Sequence, residues 1–531
     1  MLRTPLLWVF LSLSLLLSAQ THISIANPQT WTNASLAPYV GQTVIFDEPV
    51  FITANYSGYS VSPRRIFSPT NQALPLSAEY NYLLTHNGGA IMTISGLSNY
   101  HRLGERIVEL KAKVNSTSSL TFLDGTFVGN TRNDLLKGYD REAIDARGEH
   151  TLLVCGFNLE YYLVEQYSSP GPRNDSQHQQ QRAKVSKALA AINADIYGLV
   201  EIQQGHGALQ EIVSDLHKNT GRNYDYITLT TSASGTFTQS AYVYCTDVVA
   251  PDGTCKKNSV GVANRKALQA FKELATGERF IFSINHFKAK SGSGTGSDAD
   301  KGDGQGSYNG TRVREAQSVI TDYSSYRYTV DEYDILIMGD LNAYAKENPI
   351  TTLTSVGLMD LHRAFHADSS YSYAYRSGQN YCELGYLDHA LCNATLYPQI
   401  TGMCNYPINS DESDRYTYDS SSDETMFRSS DHDPVLVGLR LDSHAAERLK
   451  VQVNALEVMT EGSQIVILNA QLDAAMPAFY RLYHSNGMLM AEGQIAAGDN
   501  NFVVPRPAYS GVYVVQVFSG GKSYQKKIIV Y

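Results

Sequence analysis

Polar side chains stand at the ends of five apolar segments in the sequence. They are Asn158, Glu201, His286, the pair Asp340 and Asn342, and the run Ser430-Asp431-His432-Asp433. The adjoining apolar segments have the length and composition of buried strands. A single residue such as Glu201 or Asp340 also fits an ordinary turn at a strand end. Five such segments together favour one polar rim of a sheet, on which the side chains converge.

The residue types at this rim suit the hydrolysis of a phosphate ester. Glu201 and Asp431 carry hard oxygen donors of the kind that bind Mg²⁺ or Mn²⁺. Asp340 and Asn342 are two residues apart, so both face the same side of an extended chain. The carboxylate can orient and deprotonate water, and the amide can hold a phosphate oxygen. His286 and His432 can donate to the charge that develops around phosphorus.

A histidine in this role needs an orienting partner, and Asp388 is the candidate for His432. It follows Tyr386-Leu387 and enters a strand-like segment. A surface carboxylate in a hairpin is the alternative interpretation. His389 competes with His432 for this Asp, but successive strand residues point to opposite faces. We therefore expect Asp388 and His432 to form the pair.

The elements that must position these groups fall into three regions, as the length of 531 residues suggests at about 100 to 200 residues per domain. Residues 149–442 alternate apolar strands with amphipathic helices, such as one predicted over residues 181–193, and are expected to form an α/β catalytic domain. Residues 21–148 and 451–531 are rich in short β-type runs and predict flanking all-β domains. Residues 443–450 are a predicted linker.

The net charge limits how a charged substrate can be bound, and the N-terminal residues predict the cellular compartment. The formal net charge is −10, so a polyanionic substrate requires a metal or a local basic patch. Lys288 and Arg312 belong to such a patch beside the Gly/Ser/Asp-rich loop at residues 292–306. Residues 1–20 have the pattern of a secretory signal peptide, with a membrane helix as the alternative. The apolar run there is shorter than the roughly 20 residues that a bilayer core requires.

Six cysteines suit an oxidising compartment, and none has the paired spacing of a zinc site. Cys245 and Cys255 flank the turn-like Pro251-Asp252-Gly253 and predict a local disulfide. The other pairings stay open, and Cys155 could also be a buried free thiol in a strand.

The ordered set of polar stations resembles the endonuclease/exonuclease/phosphatase superfamily, which includes deoxyribonuclease I and exonuclease III. The stations that carry the likeness are Asn158, Glu201, His286, Gly339-Asp340-Leu341-Asn342, Leu387-Asp388-His389 and Ser430-Asp431-His432-Asp433-Pro434-Val435. The resemblance covers roughly residues 150–441. It implies an α/β two-sheet sandwich with the site on its upper rim, here flanked by an N-terminal all-β domain and a C-terminal β-sandwich domain.

The resemblance also implies a role for each residue. It makes Glu201 the metal ligand and Asp431 a second metal or water ligand. Asn158 and Asn342 are expected to contact the phosphate or the metal shell. Asp340 is expected to activate the water, and Asp388 with His432 to form the orienting dyad. No carboxylate partner is found for His286, because residues 239–244 contain no Glu.

Within the superfamily, the sequence is most similar to secreted bacterial extracellular nucleases. These carry a Gly/Asp loop after a segment like Asn285-His286-Phe287-Lys288, and here that loop is followed by Asn309-x-Thr311-Arg312. The likeness implies a nuclease with extracellular DNA as the expected substrate, and it leaves RNA open as a second substrate. The basic patch makes Lys288 and Arg312 the candidate substrate contacts. A phosphodiesterase or phosphatase for lipid or small phosphoesters is one alternative. A surface protein that binds nucleic acid without catalysis is another.

Two further segments resemble known modules. Residues 451–531 resemble the C-terminal sorting domain of type IX secretion, which implies the secretion machinery as a partner; an adhesive β-sandwich is the alternative. The segment with Asp298, Asp300 and Asp303 resembles a calcium loop, although Asp303 stands one place late. It makes Ca²⁺ a second candidate ion, with a solvated loop as the alternative.

Overall fold

The computed structural model describes residues 20–530 apart from a set of gaps. The gaps are residues 57, 64–67, 70–82, 85–90, 98–100, 133–138, 231–237, 259, 263, 367–370, 376–382, 419–424, 442–451, 454–456, 462–463, 469–471, 473–477, 485–487, 497–501, 508 and 520–521. The signal segment up to residue 19, the linker at 443–450 and Cys382 lie outside the described residues. None of the described helices is long and apolar enough to cross a membrane.

The N-terminal region forms a seven-stranded sheet in which five strands close on each other, because the strand Arg106–Ser116 pairs with both Val50–Ala54 and Ser119–Val128. We refer to this sheet as the N-terminal barrel. In spatial order its strands are β1 (Thr21–Ile23), β2 (Thr43–Phe46), β8 (Arg106–Ser116), β3 (Val50–Ala54), β4 (Tyr59–Ser62), β7 (Met92–Ser95) and β9 (Ser119–Val128). Ile107, Ala112 and Val114 of β8 are fully buried in its core.

Two six-stranded mixed sheets follow. The first contains, in spatial order, β12 (Tyr224–Thr228), β13 (Thr238–Cys245), β11 (Ile196–Gln203), β10 (Leu152–Tyr162), β23 (Val435–Leu439) and β22 (Ile400–Asn405). The second contains β14 (Val249–Asn258), β15 (Lys266–Glu273), β16 (Arg279–His286), β17 (Ile335–Asp340), β21 (Asp388–Cys392) and β18 (Met359–Asp360).

The two six-stranded sheets pack face to face, and side chains from both form one apolar core. A methyl group on Gly198 of β11 would lie 2.6 Å from Ile284 and Phe282 of β16, so glycine permits the close approach here. The central strands are nearly continuous apolar runs because both of their faces are covered. The predicted α/β sandwich is therefore confirmed over these strands.

Helices cover the outer faces of this sandwich. The first sheet packs against α2 (Asp175–Ile192) and α3 (Gly207–Thr220), and the second packs against α4 (Asn309–Val330) and α5 (Asn348–Ser355). Two short helices, α1 (Arg141–Ile144) and α6 (Leu361–Phe365), complete the set of described α-helices. The predicted helix at 181–193 is present but begins six residues earlier, because Asn174 caps it by accepting from the Gln177 amide.

A small four-stranded sheet mixes strands from the N-terminal region and the sandwich. Its spatial order is β19 (Tyr373–Tyr375), β20 (Glu383–Gly385), β6 (Leu83–Leu84) and β5 (Ser68–Pro69). The N-terminal region thus pairs directly with a hairpin that belongs to the sandwich.

The C-terminal region forms two sheets that share an apolar core. One contains β24 (Gln452–Val453), β31 (Lys522–Val530), β30 (Gly511–Ser519), β27 (Ala478–His484) and β28 (Leu489–Ile495); the other contains β25 (Glu457–Glu461), β26 (Gln464–Leu468) and β29 (Phe502–Pro505). The predicted domain boundaries and the identity of this region as a sorting domain remain predictions.

The predicted disulfide between Cys245 and Cys255 is wrong, since both are free thiols. Cys245 ends β13 in the first sheet, whereas Cys255 lies in β14 of the second. The intervening Pro251-Asp252-Gly253 is part of β14 and forms no tight turn between them. All the other described cysteines are also unbridged, and burial raises the pKa of Cys392 and Cys404.

Candidate active site on the rim of the two sheets

The predicted rim exists because neighbouring strands end together. β10 and β11 are parallel in the first sheet, and β16 and β17 are parallel in the second. In the second sheet His286 pairs in register with Asp340, and Asp340 pairs in register with Asp388, the first residue of β21. Three of the predicted side chains are therefore placed across three adjacent strands.

Irregular backbone at the strand ends completes this arrangement. Asn342 and Glu201 have positive φ values of 47° and 61°, and β11 shifts register between Leu199 and Ile202. Such a conformation costs a non-glycine residue about 1 to 2 kcal/mol. Irregularities of this kind re-aim side chains and cluster at functional sites. Gly339, before Asp340, has φ 125°, and a methyl group there would lie 1.9 Å from the Asn285 carbonyl oxygen.

Asp340 lies at the centre of the cluster and is 2% exposed. Its Oδ2 accepts from Asn158 Nδ2 at 3.1 Å and from Asn342 Nδ2 at 3.2 Å, and its Oδ1 accepts from the Asn342 amide at 2.8 Å. Burial, reinforced by the negative charge of Asp388, raises the pKa of Asp340 to about 7. The two predicted amides thus hold the predicted water-activating carboxylate in one orientation.

Asp388 and His432 form the predicted pair, with Asp388 Oδ2 lying 2.7 Å from His432 Nδ1. The Nε2 atom of His432 lies 4.0 Å from Asp340 Oδ2 and 3.9 Å from Asp431 Oδ1. Burial alone would lower the pKa of His432, but the three carboxylates raise it well above its usual value. His432 is therefore a cationic donor whose Nδ1 is fixed by Asp388.

His389 does not compete for this role. Its Nε2 lies 2.7 Å from the Ala343 carbonyl oxygen, which it can donate to, and its ring packs against Tyr386. The alternation of side chains along β21 thus places His389 on the face opposite Asp388, as the sequence predicts.

His286 is buried beside two carboxylates. Its Nε2 lies 3.5 Å from Glu201 Oε1 and 3.7 Å from Asp340 Oδ2. Burial lowers its pKa well below the usual value, and the positive charge of Arg265 lowers it further. His286 is therefore neutral at physiological pH, and Glu201 and Asp340 are its nearest carboxylates.

Two further carboxyl groups at the rim, those of Glu201 and Glu160, have raised pKa values. Burial, together with the charge of Asp431, raises the pKa of Glu201 to about 8. Burial and Asp431 likewise raise the pKa of Glu160 to about 8, and Glu160 Oε2 is buried without a hydrogen-bond partner among the described residues. This set of hard oxygen donors fits a divalent cation such as Mg²⁺ or Mn²⁺.

Among the described residues, a group of His, Asp or Glu side chains that could hold a metal ion differs from the predicted set of Glu201, Asp431 and Asn158. It consists of Asp340, Asp388 and His432, with one donor atom of each within 4.8 Å of the others. Asp388 Oδ2 already accepts from Ser372 Oγ at 2.7 Å as well as contacting His432. The contacts of Asp388 therefore suit an orienting role, and the assignment of Glu201 and Asp431 to the metal stays a prediction.

No protein-family model and no curated protein matches this chain. Solved structures similar to it do exist. An endonuclease/exonuclease/phosphatase from Bacteroides vulgatus is 17% identical, covering 55% of this chain and 99% of its own, with a TM-score of 0.37. A mannosyl-6-phosphatase from Bacteroides thetaiotaomicron is also 17% identical, covering 55% and 100%, with a TM-score of 0.36. D. rerio TDP2 complexed with a single-strand DNA product is 11% identical, covering 55% and 99%, with a TM-score of 0.38. Likeness at this level leaves the function to be argued from the side chains.

The predicted substrate contact of Arg312 is wrong. Arg312 is fully buried, and its guanidinium donates to the carbonyl oxygens of Lys288, Gln305 and Ser307. It therefore fastens the Gly/Asp loop to α4. The sequence did carry a signal for burial, because Arg312 precedes Ala316 and Val319 at the spacing of one helix face.

Lys288, the other predicted substrate contact, is partly exposed. Its Nζ donates to the Ala289 carbonyl oxygen at 3.1 Å and lies 4.1 Å from the centre of the Tyr308 ring. Neither contact is with a carboxylate, so Lys288 stays a candidate for binding a substrate phosphate.

The predicted calcium loop does not form a convergent site. Asp298 accepts from the amide and hydroxyl of Thr311, while Asp300 accepts from the Gly302 amide and Asp303 from the Gln305 amide. Each acid makes its own local turn or caps α4. Among the described residues, the group that could hold a metal lies at the rim instead.

Two residues of the site, Ser372 and Tyr373, escaped the sequence analysis. Ser372 Oγ donates to Asp388 and accepts from the amides of Leu387 and Asp388. The ring of Tyr373 lies 4.6 Å from that of His432. Both residues precede β20 in a Tyr/Ser-rich stretch with no apolar run to mark a strand end, so no local pattern singles them out.

Proposed function

We propose that this protein is a divalent-metal-dependent hydrolase of phosphodiester bonds that acts on extracellular DNA, with RNA as a second candidate substrate. The observation that carries the proposal is the geometry around His432. Asp388 fixes one side of a cationic imidazole, and its other side faces the Asp340 carboxylate at 4.0 Å. A cationic donor beside a carboxylate acceptor is what water attack on a phosphate requires.

The side chains divide the work as follows. Asp340, held by Asn158 and Asn342, orients the attacking water and accepts its proton. His432 donates to a phosphate oxygen and stabilises the charge that develops there. His286, which is neutral, serves as a second donor at the same face.

A divalent cation fits the carboxylates on the other side of the site. Glu201 and Asp431 would hold it, with Asn158 beside them. When bound, such a cation neutralises charge on the phosphate oxygens. The positive charge of Arg265 already acts on Glu201, and the positive charge of Lys288 acts on His286, so Lys288 is the proposed contact for a substrate phosphate.

The test of this proposal compares substrates. Purified protein is incubated with plasmid DNA, RNA and sphingomyelin, with and without EDTA. We expect DNA cleavage, and some RNA cleavage, that EDTA abolishes. Cleavage of sphingomyelin alone would replace the nuclease by a lipid phosphodiesterase, and binding of DNA without cleavage would indicate a binding protein.

We also propose that the protein is exported, with residues 1–20 as the signal peptide and residues 451–531 as the type IX sorting domain. The support is the apolar N-terminal pattern and a C-terminal pair of sheets with its own apolar core. Deleting residues 451–531 should retain the protein in the periplasm while the soluble protein still cleaves DNA. Normal export of the deleted protein would contradict this assignment.

A further inference from the structure

A buried cluster of charged residues joins the N-terminal barrel to the sandwich. Arg102, in the loop before β8, is fully buried, as are Asp411 and Glu412. Its Nη1 donates to Glu412 Oε1 at 2.6 Å, and its Nη2 lies 3.2 Å from Asp411 Oδ2. Arg132 also pairs with Glu412, and its guanidinium lies over the Tyr416 ring. Two cations from the N-terminal region thus meet two acids of the sandwich.

Backbone contacts reinforce the same junction. The Leu103 amide donates to the Asp411 carbonyl oxygen at 3.0 Å. Asn55 Nδ2, from the end of β3, donates to the same oxygen at 2.8 Å, and Asn130 Nδ2 donates to Asp411 Oδ2 at 3.0 Å. Asp411 is therefore held by three residues of the N-terminal region besides Arg102.

The other side of Asp411 leads directly to the candidate active site. The Tyr371 hydroxyl donates to Asp411 at 2.9 Å. The next residue is Ser372, whose hydroxyl donates to Asp388 Oδ2, the same oxygen that contacts His432. Hydrogen bonds, together with the covalent link between Tyr371 and Ser372, therefore connect Arg102 to the dyad.

The segment around Asp411 also holds the backbone next to His432. Asn409 Nδ2 donates to the His432 carbonyl oxygen at 2.7 Å, and the Asn409 amide donates to Asp433 Oδ1 at 2.8 Å. The Asp433 amide in turn donates to the Ser372 carbonyl oxygen at 2.8 Å. A displacement of this segment would move both members of the dyad.

Apolar contacts act at the same place. Leu103 is fully buried against Ala374 and Leu384 of the β19–β20 hairpin. That hairpin also pairs with β6 of the N-terminal region, and it carries Tyr373 against His432. The N-terminal region therefore supports the hairpin from its outer side.

Buried charges are tolerated only when their partners are present. Without Arg102 and Arg132, the sandwich would keep Asp411 and Glu412 buried without cations. Without the sandwich, Arg102 would lose both acids. Neither half of the cluster is satisfied alone, so the cluster specifies one arrangement of the two regions.

We propose that the N-terminal barrel is a positioning element of the active site: Arg102, acting through Asp411 and Tyr371, holds Ser372 and thereby the Asp388–His432 dyad. Arg102 and Tyr371 are positioning residues and touch no substrate. The catalytic consequence rests on the proposed function, whereas the structural consequence does not.

The test uses the full chain and four variants, of which Arg102→Lys is the conservative rescue. Tyr371→Phe removes only the hydroxyl that joins Asp411 to the dyad segment, and Arg102→Met removes the cation. Val114→Ala is the matched control, since it opens a cavity in the barrel core on β8 but leaves the cluster intact. Hydrogen exchange is measured for peptides covering residues 383–390 and 429–436, whose amides include those of Leu387, Asp388 and Asp433. Steady-state cleavage of bis(p-nitrophenyl) phosphate with Mg²⁺ is measured in parallel.

We expect Tyr371→Phe and Arg102→Met to increase exchange in these two peptides, and Val114→Ala to increase it only within the barrel strands. The first two variants should lower kcat by about 10- to 100-fold with little change in KM, as expected when catalytic groups are misplaced and binding is not. Arg102→Lys should restore part of kcat.

The outcomes separate the two proposals. Unchanged exchange in both peptides with Tyr371→Phe, or the same increase with Val114→Ala, would overturn the positioning role. If Arg102→Met does not fold, Tyr371→Phe decides alone. If the wild-type chain cleaves no phosphodiester, the proposed function fails while the exchange measurement still tests the junction.

Discussion

Removing either member of the Asp388–His432 pair should lower kcat nearly as much as removing both. The two side chains meet at 2.7 Å through Oδ2 and Nδ1, so His432 depends on Asp388 for its orientation and for its charge. Losing one placed donor typically lowers kcat by about 10²- to 10³-fold, or about 2.7 to 4 kcal/mol of barrier. We expect His432→Ala to fall in this range and Asp388→Asn to approach it.

The double variant is the sharper measurement. Independent residues would give losses that multiply, to about 10⁴- to 10⁶-fold, if each costs about 10²- to 10³-fold. A pair that acts as a unit should give a double variant within about threefold of His432→Ala. Single-turnover cleavage of a labelled DNA duplex with Mg²⁺ measures these losses, and binding of the same duplex in Ca²⁺ buffer should change far less, because phosphate contacts elsewhere supply most of the affinity.

A matched control exists at the other end of the sandwich. Asp145 contacts His150 just before β10 begins, away from the rim. Asp145→Asn breaks the same kind of Asp–His contact and should leave the cleavage rate unchanged. Losses that multiply in the double variant, or an unchanged rate for His432→Ala, would refute the reasoning.

Three further outcomes follow from the same structure. EDTA should abolish cleavage, and Mg²⁺ or Mn²⁺ should restore it. Calorimetry should show at least about 10-fold weaker Mg²⁺ binding by Glu201→Gln. Full activity after exhaustive chelation would contradict a metal-dependent mechanism. Arg312→Met should lower the free energy of unfolding by about 2 kcal/mol in urea titrations, because the loop carbonyls lose buried donors. Lys288→Ala should instead raise KM for DNA at unchanged stability. The opposite pattern would show that Arg312 contacts the substrate. Burial alone would raise the pKa of Glu211, but contacts with His178 and Tyr162 lower it. Glu211 therefore stabilises the fold above its ordinary pKa near 4.5, and this contribution is lost as the pH falls below that value. Glu211→Gln should flatten the acid side of the curve of unfolding free energy against pH, and an unchanged curve would contradict this.

The rim of the sandwich could be predicted from the sequence because each of its polar strand ends is recognisable from a short stretch of sequence. An apolar strand that ends in a carboxylate, amide or imidazole is visible in about eight residues, and parallel neighbours bring such ends together. Asp388 and His432, 44 residues apart, could be paired because each follows or precedes such a strand.

The remaining features depend on contacts that no local pattern encodes. Arg102 meets Glu412 across 310 residues, and a lone arginine in a loop gives no sign of burial. Ser372 reaches Asp388 only because a hairpin folds over the rim. Cys245 and Cys255 are close in sequence but enter different sheets. Arg312 is the exception, because its spacing from Ala316 and Val319 indicates a buried helix face, whereas its charge suggested exposure.

The most direct test of the proposed chemistry is the source of the oxygen in the product. DNA is cleaved in water enriched in ¹⁸O with Mg²⁺, and the new phosphate monoester ends are examined by mass spectrometry. Attack by a water that Asp340 orients predicts one solvent oxygen in each new phosphate group, and Asp340→Asn should form little product. Product phosphate without ¹⁸O, or undiminished labelled product from Asp340→Asn, would contradict the account.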